Sequence, residues 1–390
     1  MSKNKKISIL TATRAEYGLL KPVILKLMAK PGFDVRVVAT GMHLSPEFGL
    51  TYKEIESDGI PIDEKVEILL SSDTPSGISK TMGLAMMGFA DYFDWLKPDM
   101  LLVLGDRYET LAVCCTAMNH RIPIAHMYGG ETTEGAVDES IRHAITKLSY
   151  LHFTSTEEYR KRVIQLGETP DRVFCVGAIG IENILQEQLL SKSELEESIG
   201  FTLDKPYAVI TFHPATLEED SSGEQFQELL AVCSRHPEMK FIFSKANADA
   251  YGRIINQMID DYIQHNDNAV AYASLGMVHY LSAVKYSAMV MGNSSSGLVE
   301  APSFRVPTIN IGDRQKGRIQ ADSVINCKPA FEEIEKAIKL VLSEKFKEKT
   351  RKTINPYGDG NTSDRIVEVV SRFLLEDKID LKKKFYDIDG

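Results

Sequence analysis

The residues best equipped for chemistry lie between Gly105 and His143, in the run GDRYETLAVCCTAMNHRIPIAHMYGGETTEGAVDESIRH. Two apolar segments, Met100–Leu104 and Ile122–Met127, read as parallel strands, and each runs into a polar cluster. Asp106, Arg107 and Glu109 follow the first. Glu131 and Glu134 follow the second, with Asp138, Arg142 and His143 close behind. In an open α/β sheet, ligands sit in the crevice beyond the carboxyl ends of the strands. Several carboxylates, two arginines and a glycine pair would share that crevice. Such a set suits proton transfer beside an anionic leaving group.

Other strand ends carry further candidates. TATRAEYG (11–18) follows a first strand. It either presents backbone N–H groups and Arg14 to a phosphate or is an ordinary turn with a surface arginine. It lacks GxGxxG, so a dinucleotide fingerprint is absent. GNSSSGLVEA (292–301) joins a strand to a helix through small residues. Ser294 and Ser295 could bring the backbone and a helix N-terminus close to an anion, or simply cap the helix. Glu300, one turn into that helix, would repel phosphate but could accept hydrogen bonds from ribose hydroxyls. NIGDRQKGR (310–318) places Arg314, Lys316 and Arg318 together, as a pyrophosphate site or as an exposed basic loop. FHP (212–214) puts His213 at a strand end, in a structural, ligand-binding or acid/base role. Asp138 and Arg142 are four apart, the spacing of a helix-surface ion pair worth little on its own. The chain shows no nucleophile elbow, no HExxH and no Walker A motif.

The elements that must position these residues follow a βαβα rhythm. Strands are expected at 7–13, 34–40, 100–104, 122–127, 150–155 and 172–176, with helical stretches between. After a polar helical connection, a second series begins at 207–214, 240–244, 269–274, 288–293 and 306–312. The reading is an α/β protein of two Rossmann-like doubly wound domains facing a cleft. The expected boundaries are 1–180, 181–363 and a last helical segment, 364–390, that returns to the first domain. A length of 390 residues exceeds one ordinary core and agrees with two domains.

Composition narrows the function classes. Hydrophobic residues at 43% and charged ones at 26% fit a globular chain and exclude disorder. A net charge of -10 argues against a nucleic-acid or membrane-surface partner, so any anion must be held by local arginines and helix ends. The five cysteines are odd in number and show no metal spacing. Buried free thiols are therefore expected, with no metal and no cofactor. The basic start MSKNKK leads into a strand rather than a signal peptide, and no apolar run approaches the ~20 residues of a membrane span. The expected home is the cytoplasm.

TRAEYGLL, TGMHLSPEFG, GDRYE, HMYGGETTEG, DESIRHAITKLS, FHPAT, GNSSSGLVEA and NIGDRQKGR, in that order, span nearly the whole chain. Through them the chain resembles the hydrolysing UDP-N-acetylglucosamine 2-epimerases of bacterial sialic- and legionaminic-acid synthesis. The resemblance implies a glycosyltransferase-B-like fold, a UDP-sugar substrate and a homodimer or homotetramer. It implies anti elimination of UDP to 2-acetamidoglucal, then hydration to N-acetylmannosamine. By motif, Asp106 and Asp138 look like acid/base residues and His213 like the histidine near the pyrophosphate. Arg14, Arg107, Ser294, Ser295, Glu300 and Arg314 look like nucleotide contacts, and Asn247 like a polar cleft residue. Arg142 joins the substrate-binding set.

Many relatives read His-x-Glu-Gly-Gly-Glu, with a catalytic first Glu; this chain carries Tyr128 there. Either Glu131 substitutes, or Tyr128 takes a hydrogen-bonding role, or the substrate differs. Gly18 stands where some relatives have Ser. The competing readings are a 2-epimerase of UDP-2,4-diacetamido-2,4,6-trideoxyglucose, a non-hydrolysing epimerase, a glycosyltransferase of the same fold, and a nucleotide-sugar-binding sensor.

Overall fold

The computed structural model describes residues 4–70, 74–132, 137–213, 222–245, 252–272, 275–377 and 379–388. The chain divides into two compact units, Met1–Asn183 with Gly358–Gly390, and Ile184–Tyr357. Unit 1 holds strands β1 (Lys5–Thr11), β2 (Phe33–Thr40), β3 (Ile62–Val66), β4 (Met100–Leu104), β5 (Ile124–Met127), β6 (Leu151–Thr154) and β7 (Val173–Cys175). Unit 2 holds β8 (Tyr207–Thr211), β9 (Lys240–Ser244), β10 (Ala269–Tyr272), β11 (Met289–Gly292), β12 (Thr308–Ile311) and β13 (Val324–Cys327).

The sheet orders are β3-β2-β1-β4-β5-β6-β7 and β10-β9-β8-β11-β12-β13, parallel throughout. Both are doubly wound. Each reverses direction once, between β1 and β4 in unit 1 and between β8 and β11 in unit 2. Helices cover both faces of each sheet, so strands such as MLLVL in β4 are buried along their whole length. Alternate β4 residues serve different layers: Met100, Leu102 and Leu104 pack with the helix Arg14–Ala29, and Leu101 and Val103 with the helix Pro75–Leu96. Unit 2 repeats this two-sided arrangement.

The last helix, Thr362–Ser371, lies on the helix Arg14–Ala29 and adds Ile366, Val367 and Val370 to that core. Its start is pinned by the buried Glu182 carboxylate, which accepts the Ser363 amide at 2.6 Å and pairs with Lys26 at 3.0 Å.

Two strands escaped the sequence reading. β3 (IDEKV) and β13 (VINC) are partly solvated sheet edges; β3 is mostly polar, and Asn326 cuts the apolar run of β13 to two residues. All five cysteines are free, but only Cys114 and Cys233 are buried; Cys175 is exposed, against expectation. No helix among the described residues is long and apolar enough to cross a membrane.

Candidate active site

In unit 1 the expected acid/base residues gather at the ends of β4 and β5. Gly105 turns the chain out of β4 at φ +82°. Its carbonyl accepts the Nε2–H of His126 at 2.8 Å. Burial holds that imidazole neutral, its pKa pushed down to about 3. Asp106 follows and forms an ion pair with Arg142. Arg142 projects from the helix Val137–Leu148 and is 6% exposed. Its Nη1 also donates to the Glu131 carbonyl at 2.8 Å and lies 3.4 Å from Glu139. One guanidinium therefore ties together the β4 end, the β5 loop and the helix carrying Asp138. The surface pair expected for Arg142 is replaced by this buried junction.

Glu131 is placed by two groups: its carbonyl by Arg142, and its Oε1 by the Ser155 hydroxyl at 2.6 Å. Asp138 is exposed in the first turn of its helix. Tyr128 adopts φ +67°, a left-handed conformation that strains a bulky residue. Its ring packs on the core, and its hydroxyl accepts the Gly180 amide at 3.4 Å. Burial and the nearby Glu131 charge raise the hydroxyl pKa, so it stays protonated. Gly130 has φ +81°, and a Cβ there would meet the Tyr159 carbonyl at 2.4 Å, so only glycine fits.

The TATRAEYG turn departs from its expected form. Glu16 Oε2 accepts the Ala12 and Thr13 amides at 2.8 and 3.1 Å, and Thr13 caps the helix in return. Those amides are thus already taken. Arg14 is exposed and pairs with Glu54 at 3.1 Å.

Beside Arg107 the unit opens into a cavity of about 590 Å³ beyond the β2 and β3 ends. Met42, Leu44, Phe48, Ile68, Leu70 and Ile78 line it, with Arg107 and Tyr108. The signal in the sequence for the segment Gly41–Phe48 is its place directly after a strand.

In unit 2 the candidates flank the point where the sheet reverses. Asn293 follows β11, and its side chain brackets His213 after β8. Its Oδ1 accepts the His213 amide and its Nδ2 donates to the His213 carbonyl, both at 2.7 Å. Gly292, at φ +122°, lies so close to β8 that a Cβ would fall 2.0 Å from the Thr211 carbonyl. Arg314 Nη1 and Gln315 Nε2 donate to the Asn293 carbonyl at 3.0 and 2.9 Å. Sequence reasoning passed over Asn293 and Gln315, since amides carry no charge pattern.

The helix expected after the serines is a single turn, Ser296–Val299. Ser294 and Ser295 precede it, half-buried, and Glu300 ends it. The Glu300 carboxylate accepts the Ser296 hydroxyl at 2.5 Å, and that hydroxyl accepts Tyr280 at 2.8 Å. Burial raises the Glu300 pKa. A short helix supplies little dipole, so any anion site here rests on side chains. A second cavity, of about 600 Å³, is lined by Asn293, Arg314, Lys316, Asn310 and Lys328, among others. Asn247 lies outside the described residues. Among those described, no group of three or more His, Cys, Asp or Glu is placed to hold a metal ion.

Comparison with known proteins shows the family and the fold. A family model described as UDP-N-acetylglucosamine 2-epimerase matches residues 25–371. A Campylobacter jejuni protein named GDP/UDP-N,N'-diacetylbacillosamine 2-epimerase (hydrolyzing) is 41% identical over 100% of both chains. An Escherichia coli protein named polysialic acid biosynthesis protein P7 is 41% identical over 98% of both. The crystal structure of the Neisseria meningitidis UDP-GlcNAc 2-epimerase bound to UDP-GlcNAc superposes with a TM-score of 0.79 at 21% identity, covering 94% of this chain and 100% of that one.

Proposed function

The chain belongs to the UDP-N-acetylglucosamine 2-epimerase family, and from that premise we propose that it is a hydrolysing 2-epimerase of a UDP-linked 2-acetamido sugar. The observation that carries the reading is the Asp106–Arg142–Glu131 junction beside Asp138. One fixed cation holds the Asp106 carboxylate and the Glu131 backbone, with the Glu139 carboxylate 3.4 Å away, while the Glu131 carboxylate is placed by Ser155.

The C2 proton of such a sugar is not adjacent to a carbonyl and is weakly acidic. Departure of UDP leads, with oxocarbenium character at C1 as in glycoside cleavage. His213, Ser294, Ser295, Arg314 and Arg14 bind the nucleotide and stabilise the leaving diphosphate. A carboxylate, Asp106 or Asp138, takes the C2 proton as the C1–O bond breaks, leaving a C1–C2 double bond. Water then adds its hydroxyl to C1. A second carboxyl, Glu131 or Asp138, returns a proton to C2 from the opposite face, and the free manno sugar leaves.

The sequence put UDP-N-acetylglucosamine first among substrates. The mixed lining beside Arg107, with Leu44, Phe48 and Ile68 next to Ser45, Glu67 and Thr81, has apolar room for the 2,4-diacetamido-2,4,6-trideoxy sugar, which carries a C6 methyl instead of a hydroxyl. The Campylobacter relative's name points the same way. The enzyme works in the cytoplasm as a homodimer or homotetramer, in sialic-acid-type sugar biosynthesis.

The test is turnover of both UDP-sugars in D₂O, followed by NMR and mass spectrometry. Free manno sugar with deuterium at C2, and free UDP, are expected without added cofactor. Protium at C2, retained gluco configuration or retained UDP would refute the reading.

A further inference from the structure

Behind Arg107 lies a pair of carboxylates that the reaction above does not use. Glu109 is 1% exposed and Glu16 is 8% exposed. Glu109 Oε1 accepts Arg107 Nε at 2.5 Å. Glu109 Oε2 and Glu16 Oε1 are buried with no hydrogen-bond partner among the described residues. Arg107 meanwhile lines the 590 Å³ cavity, with 34% of its side chain open to solvent. One guanidinium thus faces two buried carboxylates. With both ionised, the local charge is negative and an anion at Arg107 is repelled.

Burial is the largest influence on Glu16, and the Ala12 amide, the next largest, opposes it. The Ala12 and Thr13 amides already bond its Oε2. His43, on the turn after β2, is held neutral by burial, its pKa pushed down to about 4. Tyr17 pairs with Asp58 and Arg14 with Glu54, both away from this seat. The Tyr108 ring lies beside the Arg107 guanidinium. Burial, the Ala12 and Thr13 amides, Glu109 and Arg107 therefore set Glu16 together.

We propose that Glu109 is a positioning residue that fixes Arg107 at the cavity wall, and that Glu16 takes up a proton from solvent when Arg107 receives the diphosphate of a UDP-sugar. The second step rests on the UDP-sugar reading. Burial, with the Glu109 charge added, pushes the Glu16 pKa up to about 7. Below that pH the seat is already protonated and binding needs no proton. Above it, each bound diphosphate must bring one proton, so Kd rises up to about tenfold per pH unit.

The experiment is calorimetric titration of the wild-type protein with UDP at pH 8, in two buffers of different ionisation enthalpy. The terminal phosphate, with a pKa of about 6, is then fully ionised. Uptake of nearly one proton is expected in wild type and none in Glu16→Gln. Glu109→Gln should raise KM severalfold, because losing the charged hydrogen bond that fixes Arg107 outweighs the relief of one negative charge, with kcat nearly kept and partial recovery in Glu109→Asp. No proton uptake by wild type, or equal uptake by Glu16→Gln, overturns the proposal. The wild-type count does not depend on any variant folding. It is read from UDP binding alone, so failure of sugar turnover counts only against the epimerase reading.

Discussion

Replacing Arg142 by Lys tests the junction at the centre of unit 1. The change keeps the positive charge but removes the fork. Arg142 Nη2 serves Asp106 while Nη1 serves the Glu131 carbonyl. A single ammonium cannot occupy both positions. Hydrogen bonds to charged groups contribute about 1.5–3 kcal/mol each. The Asp106 side chain is 25% exposed, so water replaces part of what it loses. A net cost of about 2 kcal/mol follows, or roughly 4–8 °C in Tm for a unit of this size. The kinetic effect should be larger. Asp106 would lose its fixed orientation, and small misplacement of a catalytic group costs about 10²-fold in rate. The assay is kcat of Arg142→Lys, Asp106→Asn and the double variant, with thermal melting of each. If Arg142 acts through Asp106, the double variant is no slower than Asp106→Asn alone. Fully additive losses, or near wild-type kcat in Arg142→Lys, would show that the junction does not orient the acid/base group.

Glu131→Gln and Tyr128→Phe separate the two candidates for the missing family carboxylate. A kcat loss of about 10²–10⁴-fold is expected in Glu131→Gln and a small one in Tyr128→Phe, because the Tyr128 hydroxyl is already engaged by the Gly180 amide; release of free glycal by Tyr128→Phe would reverse the assignment. Glu168→Gln tests a buried network away from the site. Burial alone would raise the Glu168 pKa, but His152, Lys147 and Lys383 outweigh it and hold it at about 2. The stabilisation is present above the unfolded carboxylate value near 4.3 and is lost as pH falls towards 2. The variant should be about 3 kcal/mol less stable at pH 7, with the gap to wild type closing below pH 4.5; a gap constant down to pH 3 in denaturant melts would contradict the ion network.

Some of this protein was legible in its residues alone. Strands buried on both faces must be apolar along their length, so β1, β4 and β8 announced themselves, and the polar clusters that end them marked where a ligand could sit. β3 and β13 stayed hidden because an edge strand is partly solvated and tolerates IDEKV or VINC. Motif order, being local in sequence, pointed to the family before any coordinates. Partner choice is only partly local. Arg142 had an acid four residues away at Asp138, yet its ion pairs are with Glu139 in its own helix and with Asp106, which the adjacency of β4 and β5 brings to it. His213 and Asn293 lie 80 residues apart, and they meet because β8 and β11 are neighbours where the sheet reverses. The capping box that Glu16 makes with Thr13 was not read from the sequence, and the burial of Glu16 near Glu109 arises only when β1 packs against β4. Backbone pattern and residue type fix which elements form. Which side chains share a low-dielectric pocket, and therefore which protons and charges compete, depends on the strand order that tertiary packing selects.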